Sequence, residues 1–348
     1  MSITKVYFGT AVSEPGKGIY RSNFDTQTGQ LSEPEFVAEA RTPSFLAMAP
    51  NGRTLYACID DNGGAAGAWS IGDDEALTPL NRQSSQGTGA CHVWVDGEGR
   101  NVLVANYSSG SVACFPVQAD GSLGACSSFV QHTGSGPDTS RQEAPHAHAI
   151  YTDPANKFAY ACDLGTDEVV IYRFDAETGT LTPNDPSAGI CPPGGGPRHF
   201  AMHPAGYAYA NNELTLSVTA FIRDDQSGSL TEIQTISTVP EGTPFERNST
   251  SEMYIHPNGK WLYVSNRGVD TIAVFTIAAD GMLSTVERTA SPKEPRGFAI
   301  SPDGKWLLAA GQNDHTVVVY AIDGETGGLK RTDNIVSVEK PVDVLFAS

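Results

Sequence analysis

Residues 253–268 read MYIHPNGKWLYVSNRG: an apolar run, a Pro-Asn-Gly turn, then a second run rich in β-branched and aromatic residues. That is the signature of two strands joined by a tight turn. Five more copies follow the same plan, FLAMAPNGRTLYACID (45–60), VWVDGEGRNVLVANYS (93–108), AIYTDPANKFAYACDLG (149–165), FAMHPAGYAYANNEL (200–214) and FAISPDGKWLLAAGQN (298–313). The turn residues Gly52, Gly99, Asn156, Gly206, Gly259 and Gly304 lie 47, 57, 50, 53 and 45 residues apart. Strand repeats of this period point to a propeller.

Each phrase is followed by a third apolar strand, as in EVVIYRFD, LSVTAFI, TIAVFTI and TVVVYAI, and a turn such as DAETGTL or DGETGGL leads to a fourth. Six complete units are visible. The chain opens with TKVYFGTA, a second strand with no first strand before it, and ends with PVDVLFAS. Pairing residues 341–347 with residues 4–9 completes a seventh blade and removes the open edges of the ring. The expected fold is therefore all-β: one seven-bladed β-propeller domain over residues 1–348, with four antiparallel strands per blade, closed by its two ends. Composition agrees, since 36 Gly and 22 Pro among 348 residues supply many turns and 39% hydrophobic residues supply a core.

The formal charge is −18, which argues against nucleic acid or an anionic membrane as partner, because both are held by clustered Lys and Arg. No segment approaches the roughly 20 apolar residues of a membrane span. The opening MSITKVYFGTAV lacks the basic and apolar regions of a secretory signal, so a cytoplasmic location is expected. Six cysteines without a CxxC pair read as reduced, mostly buried thiols. A Gly-rich phosphate loop, an HExxH pair, zinc spacing and an EF-hand pattern are all missing from the sequence.

In an up-and-down blade, loops alternate between the two faces of the disc. The Pro-Asp-Gly type turns lie on one face, so first strands begin and second strands end on the other. First strands begin at Ser44, His148, Arg198, Ser251 and Arg296; second strands end at Asn106, Asp163, Glu213, Arg267 and Gln312. Ionisable and amide groups from several blades thus converge on one mouth of the central channel, the default place for a site. His203 and His256 sit at the turn end and read as structural. Arg198, Arg267 and Arg296 stand out against the acidic background. Two readings are open for them: recognition of a carboxylate or phosphate, and pairing with acids such as Glu213, Glu252 or Asp163. His148 is the acid–base candidate, with His146 on the same side of the strand. Glu213 is open as general base, as orienter of His148, or as partner of Arg267.

The phrases HTGSGPDTSRQEAPHAHAI (132–150), GPRHFAMHP (196–204), NNEL (211–214), TSEMYIHPNGKWLYVSNRGVDTIAVF (250–275) and PRGFAISPDGKWLLAAGQNDHTVVVY (295–320) resemble the lactonase family of seven-bladed β-propellers. That family includes bacterial 6-phosphogluconolactonases and the fungal carboxy-cis,cis-muconate cyclase. The resemblance implies a cofactor-independent reaction on a lactone, with catalytic residues at His148, Arg198, Glu213 and Arg267. Arg296, Arg141 and Gln142 match family phrases too, and with His146 and Gln312 they are the expected substrate-binding set. No metal is expected, since guanidinium groups neither ligate a cation nor tolerate one nearby. The implied activity is hydrolysis of a small anionic sugar lactone of the 6-phosphogluconolactone type: the arginines hold the anion and the oxyanion, and His148, supported by Glu213, activates water. The alternatives are a carboxymuconate-type lactonizing enzyme (cycloisomerase) using the same ring, and a non-catalytic propeller that binds a peptide or protein.

Overall fold

The second strand of each repeat is buried along its length, as in Thr54–Ile59, Asn101–Asn106 and Phe158–Asp163. Unbroken apolar runs such as LYACI and NVLVAN suit a strand covered on both faces, whereas outer strands such as Leu77–Ser84 alternate and face solvent. The computed structural model describes residues 2–61 and 63–347; Met1, Asn62 and Ser348 lie outside the described residues. These residues form seven antiparallel sheets, and none of them is helical. No helix is therefore long and apolar enough to cross a membrane.

Blade 1 is built from both ends of the chain: Ile3–Thr10 pairs with Pro341–Phe346, with Phe8 opposite Val344. Its outer edge is split into Gln30–Leu31 and Glu35–Glu39, so this blade has five strands where the repeat predicts four. Blades 2 to 7 follow in order, with first strands Phe45–Met48, Ala90–Val95, Ala147–Thr152, Pro197–His203, Ser249–Ile255 and Pro295–Ile300.

Seven hydrophobic clusters fill the seven spaces between neighbouring blades, including one between blades 7 and 1 that joins Val6, Phe8 and Phe24 to Leu308, Val317 and Val319. A repeated polar tie reinforces them. Tyr56, Tyr160, Tyr209 and Tyr263, each in a second strand, donate their hydroxyls to the carbonyls of Gly121, Gly228, Gly281 and Gly327 in the next blade, at 2.7–3.0 Å. Trp306 Nε1 donates to Thr26 O across the closure. The bond satisfies each buried phenol and fixes one blade's register against the next.

Candidate active site

At the mouth where first strands begin, the inner strands of six blades break register. In blade 3, Asn106 and Ala105 face Ala90 and His92, so Cys91 is skipped. The same slip skips His148 in blade 4, Arg198 in blade 5, Arg296 in blade 7 and Val342 in blade 1. In blade 6, Ser251 and Glu252 together oppose Ser265. A β-bulge leaves its extra residue out of the ladder and re-aims it, and here the freed Cys91, His148 and Arg296 line a common pocket.

His148, Arg267 and Arg296 line one pocket of about 430 Å³ together with Cys91, Tyr107, Arg141 and Glu213. Glu213 is the hub. Its Oε1 meets Arg141 Nη2 at 2.7 Å, and its Oε2 meets Arg267 Nη2 at 3.0 Å and Arg198 Nε at 3.1 Å. Burial alone would raise this carboxyl, but Arg267, Arg198 and Arg141 together hold it down at about 2. Glu213 is thus an ionised partner of arginines. It makes no hydrogen bond with His148, and so corrects the expectation that it supports that ring.

Arg198 lies under the pocket wall, with Nη1 donating to Ser251 O at 2.7 Å. The Arg296 side chain has no acid within ion-pair distance among the described residues; burial, then Arg198 and Arg267, lower it to about 10. His148 is buried, and burial, reinforced chiefly by Arg198, holds it well below its ordinary value. Its ring is neutral at pH 7. Its Nδ1 is buried without a partner, so Nε2 is the nitrogen presented to the pocket. Cys91 donates to His148 O at 3.2 Å, and burial raises its thiol to about 12, too high to supply a thiolate.

Three expected binding residues lie elsewhere. Gln142 is fully buried and braces a loop: Nε2 donates to Leu164 O and Asp167 Oδ1, and Oε1 accepts from Asp138 N. His146 stands one row back, stacked on Tyr107 at 4.6 Å with its Nδ1 3.0 Å from Tyr107 O. Gln312 follows its strand end without lining the pocket. Asn106 and Asp163 also turn inward: Asn106 donates to Ser111 Oγ and Ser85 O, and Asp163 holds His132 at 2.5 Å and His146 N at 2.8 Å.

For Asn106 and Asp163 the reason is a one-residue offset. Position for position, the residues matching Glu213 and Arg267 at the ends of second strands are Asp60 and Tyr107, and both line the pocket. Strand side chains alternate sides, so an error of one residue selects the wrong face. Sequence reasoning missed Asp60, Cys91 and Tyr107, and of these Tyr107 packs on the candidate catalytic ring. Its hydroxyl lies 3.2 Å from Arg141 Nη2 and its ring packs edge-on to His148 at 5.6 Å. Aligning AN-Y with NN-E and SN-R would have found it. Among the described residues no group of three or more His, Cys, Asp or Glu is placed to hold a metal ion.

A closed seven-bladed ring with an arginine-lined mouth defines a class, and sequence comparison agrees. The family described as "Lactonase, 7-bladed beta-propeller" matches residues 5–346, and the chain belongs to it. It is 38% identical to a 6-phosphogluconolactonase of Bacillus subtilis over 346 residues, covering 98% of this chain and 97% of that one. A 6-phosphogluconolactonase of Formosa agariphila is 31% identical, over 91% of this chain and 92% of its own length. Among solved structures, the periplasmic gluconolactonase of Pseudomonas aeruginosa superposes with a TM-score of 0.92 at 31% identity, covering 100% of this chain and 99% of that one.

Proposed function

We propose that this protein is a cofactor-independent lactone hydrolase of the 6-phosphogluconolactonase type, acting on a small sugar lactone that carries a phosphate. The observation that carries the reading is a charge count. Arg141, Arg198 and Arg267 hold one buried carboxylate, Glu213, and Arg296 lines the same pocket beside a neutral imidazole. Asp60, which also lines the pocket, stands 3.9 Å from Arg41, and Glu294 stands 4.0 Å from Arg267; with the Asp60–Arg41 pair set aside, four cations against Glu213 and Glu294 leave a surplus of two, in a protein whose overall charge is −18. A dianionic phosphate would match that surplus, and guanidinium groups suit it. The names of all three relatives support a sugar lactone, and the two named 6-phosphogluconolactonase support the phosphorylated one.

The chemistry follows from the protonation states. Neutral His148 takes a proton at Nε2 from water as the water oxygen attacks the lactone carbonyl carbon. Arg267 and Arg296 face the oxyanion that forms. The bond from that carbon to the ring oxygen then breaks, and the ring oxygen leaves with the proton held by His148. Glu213 keeps three guanidinium groups in place and, held at about 2, takes no part in proton transfer. In this reading residues 1–348 work as one unit, in a reducing cytoplasm that suits six free thiols.

The test is proton release from 6-phosphogluconolactone and from unphosphorylated gluconolactone, each against its spontaneous hydrolysis. The expected result is acceleration of both, with kcat/KM at least about tenfold higher for the phosphorylated substrate, since one lost charge-assisted contact costs about that much. Rates equal to buffer for both lactones would reject the reading.

A further inference from the structure

Beneath the pocket lies a second polar layer with no part in the scheme above. One position beyond the freed residues Cys91, Arg198, Ser251 and Val342 stand His92, His199, Glu252 and Asp343, all buried. They meet across the channel. The His199 ring is 5.5 Å from His148, 5.6 Å from His92 and 5.6 Å from Phe45. His199 Nδ1 lies 2.9 Å from Glu252 Oε1 and 3.1 Å from Tyr151 Oη. Glu252 Oε1 already accepts the Met253 N–H at 3.0 Å, so it is an acceptor and the hydrogen between the two side chains sits on Nδ1. Burial and the charges of Arg198 and Arg296 keep the His199 ring neutral, so the contact is a hydrogen bond rather than an ion pair.

His148 has no such orienter. Its Nδ1 has no hydrogen-bond partner, and among the described residues no carboxylate forms a hydrogen bond or ion pair with it. The His199 ring is the polar group it rests on from below, and Glu252 stands behind that ring. We propose that Glu252 is a positioning residue for His148: it fixes His199 in the Nδ1–H form and, when ionised, places a negative charge behind the two rings that raises the basicity of His148. This rests on the hydrolase reading and adds a carboxylate to it.

The charged and titratable groups facing Glu252 come from every neighbouring blade: His199 and Arg198 from blade 5, Tyr151 from blade 4, Arg296 from blade 7, Asp343 from blade 1, and Tyr254 on its own strand. Burial raises the Glu252 carboxyl to about 7 against the opposing pull of Arg198, the Met253 N–H and Arg296. The charge behind His199 is therefore absent in acid and present above neutrality. Activity should rise through about pH 7, although burial keeps His148 itself from titrating there.

Glu252→Gln keeps an acceptor for His199 and Met253 but cannot ionise. Lactonase turnover would be measured from about pH 5.5 to 9 in both proteins. The expected variant has kcat roughly tenfold lower above pH 8, the mid-range for coupling within one hydrogen-bonded network, with no rise through neutrality and little change in KM. At pH 5.5 the two curves meet. An unchanged profile, or a loss of equal size at every pH, overturns the proposal. A second measurement uses the wild-type chain without substrate: ¹⁵N imidazole spectra should show neutral His199 with hydrogen on Nδ1, and a His148 signal that responds to a titration near pH 7. Hydrogen on Nε2 of His199, or a His148 signal blind to that titration, overturns it too. These spectra need no turnover, so they stand apart from the lactone assay that decides the hydrolase reading.

Discussion

The two mouths of the channel are made by opposite ends of the same seven inner strands, and their histidines show how differently those ends are used. At the turn end, His203 and His256 are satisfied on both ring nitrogens. Nε2 donates to Gly259 O at 2.9 Å or Gly304 O at 2.8 Å in the next blade, and Nδ1 accepts from Ala205 N or Asn258 N. At the bulged end, His148 has a bare buried Nδ1 and an Nε2 turned to the pocket. The regular end spends its polar groups on cohesion, while the irregular end leaves them available. Cavity size does not separate the two faces. A second space of about 430 Å³ lies on the turn face between blades 2 and 3, but its Arg100 pairs locally with Glu98 at 2.9 Å and both are exposed. What separates the bulged mouth is buried, unneutralised charge, the mark expected of a functional site.

The sharpest way to break this contrast is His148→Ala. Loss of a general acid–base group should lower kcat by about 10² to 10⁴. The melting temperature should move by only a few degrees, since Nδ1 forfeits no hydrogen bond. Activity near the wild-type level would mean that the bulged mouth is no more functional than the turn end.

The ring was legible in the sequence because its cause is local and repeated: a turn every 45 to 57 residues between apolar runs. Closure by the two ends was legible too, from a second strand lacking a first. The site was half legible. His148, Arg198 and Arg296 could be found by counting back from the turns, because the bulge recurs at one position. What counting could not supply is the face. Asn106 and Asp163 were selected where Tyr107 and Leu164 stand in the position of Glu213, and the phrase match that brought in Gln142 reflects a loop brace. The deeper layer stayed hidden for another reason. His92, His199, Glu252 and Asp343 belong to four blades, and their contact depends on ring geometry that no single segment encodes.

That layer carries the next largest effect, on stability. Asp343 is buried with Oδ2 accepting the Leu46 N–H at 2.7 Å, and burial followed by Glu252 raises it to about 8. The folded protein therefore holds a proton that the unfolded chain, with a pKa near 3.9, releases. Stability falls as pH rises from about 4 to about 8 and levels off above that window. Asp343→Asn keeps the acceptor and removes the titration. Unfolding free energies from urea titrations should agree near pH 4 and diverge in favour of the variant by on the order of 2–4 kcal/mol at pH 9. Parallel curves would show that the layer is wetter than its burial implies.

The smallest effect belongs to the turn end. His256→Ala leaves Gly304 O and Asn258 N without their partner, and each lies where the chain reverses between strands. Losing one such buried hydrogen-bonding group costs about 1–3 kcal/mol, and the second nitrogen shares the same ring, so the total stays near that range. Blades 6 and 7 would still be joined by the cluster of Trp261, Tyr263, Phe298 and Tyr320 and by the Tyr263 hydroxyl on Gly327 O. Turnover per folded molecule should equal wild type, because the substitution lies at the far end of the channel and the bulges that aim His148, Arg198 and Arg296 are set by pairing at the other end of their strands. A drop in kcat without a drop in stability would mean that the two mouths are coupled along the strands. The division between a cohesive end and a chemical end would then have to be withdrawn.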